Sequence, residues 1–224
     1  MKRDKLKLML KKLNHGLLVG VLCFGVLIAR GQTTETAPSN PNVRLGQKAL
    51  LDGDFKSAAS YLEKALPQEA NDENVLYMLG YSQYHSGDYK KALQSFSKVI
   101  ALTPDNVAAY YYRGKANNIL AVQTQTNVSA ANREKMLAAA IADYTKAIEL
   151  NAEDVKLFQN RAIAYRDLGI LLGTAGTANY DKAGATDAYN KSIVDFEQVL
   201  ALTPGKKDIQ TEIKKATVYR DNLK

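Results

Sequence analysis

Between Glu73 and Asn106 the chain twice sets out an apolar face at helical spacing, with a break between the two. Leu76, Leu79 and Gly80 mark the first face, and Gly87-Asp88 interrupts it. Tyr89, Ala92, Phe96, Val99 and Ile100 mark the second, and Pro104 ends it because proline lacks a donor N–H and its ring clashes with the preceding turn. Two helices this short cannot bury their faces alone, so further copies are expected on either side.

The copies lie 34 residues apart. Gly46, Gly80 and Gly114 share that spacing, as do Gly53 and Gly87, Phe55 and Tyr89, Ala58 and Ala92, and Ala65 and Val99. Ala70 stands where the counterpart of Pro104 is expected. Small residues at Gly80 and Ala92 let two helices cross at roughly 8–10 Å, with Leu76, Leu79 and Phe96 filling the space around them. Helix–turn–helix units of this length, with small residues at fixed places, resemble the tetratricopeptide repeat family. The resemblance implies an all-α, right-handed α-solenoid.

Four hairpins are expected, at 39–72, 73–106, 107–154 and 155–206, followed by an amphipathic capping helix at 207–224. The first has Leu45, Gly46, Ala49, Phe55, Ala58, Leu62 and Ala65 as its core, and the cap turns Ile209, Ile213, Ala216 and Tyr219 inward. The third and fourth are lengthened. The second helix of the third, with Ala140, Tyr144, Ala147 and Ile148, arrives 14 residues late, and that of the fourth, with Ser192, Phe196, Val199 and Leu200, arrives 18 late. Such additions amount to about two helical turns on each arm at 3.6 residues per turn. Apolar residues on the added arms predict that they pack side by side, with tips at Gln123 to Asn132 and Gly173 to Tyr180.

Residues 1–31 have the layout of an export signal: a basic start, an apolar run from Leu17 to Ala29, then Ala29-Arg30-Gly31. Thirteen apolar residues are too few for an ordinary span of roughly 20, so cleavage before Gln32 is expected, with an uncleaved anchor as the alternative. Residues 32–38 then form a polar lead-in. The segment also decides the charge argument. It holds seven of the 30 basic residues and one of the 23 acidic ones, leaving 23 against 22, so the formal charge of +7 is no nucleic-acid footprint. It also takes the only cysteine, Cys23, and leaves His85 as the only histidine, which excludes a Cys/His zinc site and a disulfide in the remainder. No cofactor or metal is expected.

No catalytic pattern emerges. GTAGTA at Gly173 lacks a P-loop lysine, and Asp72-Glu73 and Glu153-Asp154 suit helix N-termini rather than acid–base work. The resemblance implies a concave groove lined by the first helix of each repeat, holding a protein or peptide. The positions facing it are Tyr77, Tyr81, Tyr84 and His85, then Tyr111, Lys115 and Asn118, then Gln159, Ile163 and Arg166. Relatives that grip chain-terminal carboxylates carry Lys and Asn in the first repeat, where this chain has Val43 and Gln47. The tyrosine row has no evident packing duty and suits a recognition surface. The expected function is a non-enzymatic binding adaptor of the bacterial cell envelope, periplasmic or associated with the outer membrane. A glycan or small-ligand binder using the same rings is an alternative, weakened by the absence of Trp. A scaffold dimerising through the long hairpins is another.

Overall fold

The computed structural model describes residues 40–123 and 128–223. The export signal, its cleavage point, the lead-in up to Ser39 and most of the first long tip lie outside these residues. The described residues form α1 (Pro41–Leu51), α2 (Phe55–Glu69), α3 (Glu73–His85), α4 (Tyr89–Leu102), α5 (Val107–Val122), α6 (Ala130–Leu150), α7 (Val155–Gly173), α8 (Lys182–Leu202) and α9 (Lys207–Asp221), with no strand among them. They make four successive helical hairpins closed by α9. Each of the first eight helices has its start set by a side chain that accepts a hydrogen bond from a first-turn N–H. Asp54, Asp72, Asp88, Asn106, Asp154 and Asp181 are among those caps. Asp72 and Asp154, singled out at the repeat starts, therefore serve as caps.

Within the hairpins, the small first-helix residue faces a large second-helix one. A Cβ on Gly46 would lie 2.7 Å from Leu62, one on Gly80 3.0 Å from Phe96, and one on Gly114 3.0 Å from Tyr144. Ala162 takes the same place opposite Phe196 in the fourth hairpin, both fully buried. The lengthened arms repeat the device with Gly169 against Tyr189, 2.8 Å from the position of a Cβ. The arms are helical and packed together, for Asn118 of α5 donates to Asp167 of α7 at 3.0 Å and Asn179 of the second tip donates to Glu134 of α6. The return helix α6 starts at Ala130, inside the expected tip, because Ser129 caps it.

Leu45 is a correction: it is 44% exposed, whereas its counterpart Leu79 is 2% exposed. Leu79 packs back onto Leu62 and Ala65 of the first hairpin, and the described residues supply no such neighbour for α1. Tyr219, expected on the inner face of the cap, is 45% exposed, with its ring tilted against Tyr189 at 6.1 Å between centres. Ile209 and Ala216 carry the seal, the first against Phe196 and Val199, the second against Leu172 and Tyr189.

Successive first helices touch one another, α1 to α3, α3 to α5 and α5 to α7, while successive second helices do not. The stack therefore curves toward its first helices, whose outward residues line the concave side.

Candidate functional site

The centre of that concave side is an aromatic cluster from α3 and α5. Tyr112 is its hub, edge-on to Tyr81 at 5.2 Å and Tyr84 at 5.3 Å, and stacked on Phe96 at 5.7 Å between ring centres. Tyr77 and Tyr81 lie one helical turn apart and stack at 6.4 Å. His85 rests on Phe55 at 4.8 Å and on Tyr81 at 4.2 Å. Burial lowers the pKa of His85, with nearby Lys115 adding to the effect, and both favour the neutral ring.

Tyr84 departs from expectation. It is only 9% exposed and packs with Leu76, Ala92 and Phe96, so it belongs to the core. The reason lies in the next repeat, since Tyr112 and Lys115 close over it. Tyr77 and Tyr81 are half-buried against the same cluster, so the row has a packing duty as well as an open edge.

Lys115 occupies the seam between the two rows. Its Nζ stands 5.3 Å from the centre of the Tyr84 ring and 5.4 Å from that of Tyr111, within cation–π range of both. Burial lowers its pKa, and Lys156 lowers it further. Among the described residues it forms no ion pair. Asn118 gives its Nδ2 hydrogen bond to Asp167, and its buried Oδ1 has no partner. Lys115, Asn118, Tyr144, Asn160 and Ile163 line a cavity of about 60 Å³.

The remaining predicted residues lie farther along. Gln159 is half-buried on α7, and Arg166 pairs with Asp167 and with Glu212 of the cap, so its charge is already matched. Val43 is 3% exposed in the first core and cannot face a partner. Among the described residues no group of His, Cys, Asp and Glu is placed to hold a metal, and no helix is long and apolar enough to cross a membrane.

Two features escaped the sequence reading: Tyr112, and a recurring arginine clamp. Arg113 of α5 binds Asp143 of α6 and Ser97 of α4, and passes 5.6 Å from the Tyr110 ring. Arg161 of α7 binds Asp195 of α8 and Thr145 of α6, and passes 5.8 Å from the Phe158 ring.

Comparison with known proteins agrees with this architecture. The TPR repeat family model matches residues 80–117. A TPR repeat-containing protein of Methanocaldococcus jannaschii is 26% identical over 171 residues, 69% of this chain and 26% of that protein. Interferon-induced protein with tetratricopeptide repeats 2 of Cricetulus griseus is 28% identical over 129 residues, 56% of this chain and 27% of that protein. The chain thus spans about a quarter of the length of these curated relatives. Among solved structures, the MamA RS-1 ArsTM double mutant superposes with a TM-score of 0.58 at 20% identity, covering 81% of this chain and 84% of that one. The fold is that of a tetratricopeptide repeat solenoid, and the match of the family model, from Gly80 to Asn117, falls on its second and third hairpins.

Proposed function

We propose that the chain is an exported, non-enzymatic adaptor of the bacterial cell envelope that holds a protein or peptide along its concave face. The contact surface runs from Tyr77, Tyr81 and His85 through Tyr111, Lys115 and Asn118 toward Gln159 and Arg166. The observation that carries the reading is the half-exposed aromatic row on the inner side of the curve, with a lysine at its end. Tyrosine rings offer large rigid area at low entropic cost, and interface hot spots are rich in them. Export rests on the order of basic, apolar and small residues in residues 1–31.

A glycan binder is less well supported, because the rings turn their faces on one another rather than into an open cleft, and the cavity beside them is small. The test is photo-crosslinking in cells from position 81, with position 194 as control. Val194 lies on α8 and is 62% exposed. A defined protein adduct from position 81 and none from 194 is expected. Adducts from 194 alone would move the binding face elsewhere.

A further inference from the structure

We propose that Lys115 is the anchor for an internal Asp or Glu side chain of the bound segment, seated where the third and fourth hairpins meet. This deepens the reading above and rests on it.

Charge bookkeeping singles out this position. Arg113 has Asp143, Arg161 has Asp195, and Arg166 has Asp167 and Glu212. Lys115 is half-buried and pairs with no carboxylate among the described residues, and the charge that acts on it, Lys156, has its own sign. Taking an ammonium partly out of water without a counter-charge is unfavourable, and two tyrosine faces offset only part of that cost. A carboxylate arriving from outside would offset the rest. One turn along the same helix face, Asn118 is held by its hydrogen bond to Asp167, so it leaves Lys115 as the group on this face with an open charge.

The space fits the same occupant. A cavity of about 60 Å³ has room for a carboxylate-sized group, since one water needs roughly 10–15 Å³ by this measure, and it is far below the roughly 300 Å³ of ordinary ligand pockets. The concave face continues on both sides of it, to Tyr81 in one direction and Gln159 in the other, so a segment passes through rather than ending there. Asp167, beyond Asn118, disfavours a second negative charge on that side. The larger cavity, about 290 Å³ between α2 and the α3–α4 hairpin, carries no such argument because its Lys91 already pairs with Glu63 and Asp88.

The test pans a library of random linear peptides, held in a scaffold at both ends, against the full chain and against Lys115→Met and Lys115→Glu. Circular dichroism first establishes that both variants are helical. Peptides selected by the native chain are expected to share one acidic position. Their affinity is expected to fall roughly ten- to hundredfold on Lys115→Met, the scale of a hydrogen bond to a charged group. Lys115→Glu is expected to select Lys or Arg at that position instead. Selected peptides without a shared acid, or with affinity unchanged by Lys115→Met, would overturn the anchor while leaving the groove intact. Selection of no peptide by any of the three proteins would overturn the groove itself. A second library with free C-termini separates the remaining source of carboxylate: selection only there would replace the side chain by a chain end and overturn the internal site.

Discussion

Arg113 reaches Asp143 through two parallel hydrogen bonds, Nε to Oδ2 at 3.0 Å and Nη2 to Oδ1 at 2.6 Å, across the two helices of the third hairpin. Arg161 and Asp195 repeat the arrangement at 2.8 Å in both bonds. Asp143 is 4% exposed, and burial pushes its carboxyl pKa up more than Arg113 pulls it down. A pair with that balance is costly to break and cheap to replace. Asp143→Ala is expected to cost about 3 kcal/mol, the low end of the range for a severed buried pair because Arg113 keeps some exposure. Arg113→Met with Asp143→Leu is expected to lie near the native stability. Urea unfolding of the native chain and the two variants checks this, and equal losses in the single and double variants would refute it.

Gly80 and Phe96 give a sharper steric test. Gly80→Ala places a methyl 3.0 Å from the ring and is expected to cost about 1–3 kcal/mol, with part recovered by adding Phe96→Leu. Gly87→Ala also destabilises, by about 1 kcal/mol, but through its φ of +87°. Phe96→Leu is expected to bring no recovery there. Thermal melts of the five proteins distinguish overpacking from backbone strain.

Tyr81 and Tyr84 separate contact surface from core. Tyr84→Ala is expected to lose about 3–5 kcal/mol of stability, as for other buried aromatic truncations, and Tyr81→Ala clearly less. Partner crosslinking has to be read on Tyr81→Ala, since a Tyr84 variant would lose capture through misfolding. Similar melting temperatures for the two would return Tyr84 to the surface.

His85 predicts a pH dependence of stability. Its folded pKa lies below the unfolded value of about 6.5, so the unfolded chain binds more protons between the two. The contribution is complete above about pH 6.5 and is lost as pH falls toward the folded pKa. Melting temperature is therefore expected to decline as pH falls below about 6.5, with a shallower decline in His85→Phe, whose ring keeps the stack on Phe55. Parallel curves for the two proteins would remove His85 as the cause.

These residues also show what was legible in the chain. The 34-residue spacing and the pairing of Gly80 with Phe96 are local and repetitive, so the hairpins and the helical arms could be read directly. Leu45 was misplaced because equal register does not mean equal neighbours, and burial of Leu79 depends on a preceding hairpin. Tyr112 was missed within the run Tyr110-Tyr111-Tyr112, where periodicity cannot choose which ring enters the seam. The burial of Tyr84 depends on Tyr112 and Lys115 from the next repeat, which no pattern within α3 reveals. The arginine clamp was concealed by the insertions: Arg113 and Arg161 lie 48 apart but Asp143 and Asp195 lie 52 apart, so no constant spacing marks them.

The cap makes a further prediction. Ile209 is 1% exposed against Phe196 and Val199. Ile209→Ala is expected to cost about 2–5 kcal/mol, felt first at the C-terminal end because contacts in a solenoid are between neighbours. Amide exchange would show protection lost in α8 and α9 while α3 and α4 keep theirs. Uniform loss along the chain would mean that the stack unfolds as one unit.

Each arginine clamp spans three helices, so α4 to α8 are riveted in an unbroken series, whereas the α1–α2 hairpin is joined onward by its apolar seam and the bonds Glu63 accepts from Gln83 and Lys91. Under mechanical load the two halves would yield differently. Drawn apart between Pro41 and Leu223, the molecule would peel open at its first hairpin at low force, and the riveted half would resist until a clamp sheared. A partner pulling on the concave face would therefore meet a stiff bed beneath Lys115 and a compliant lip beside Phe55.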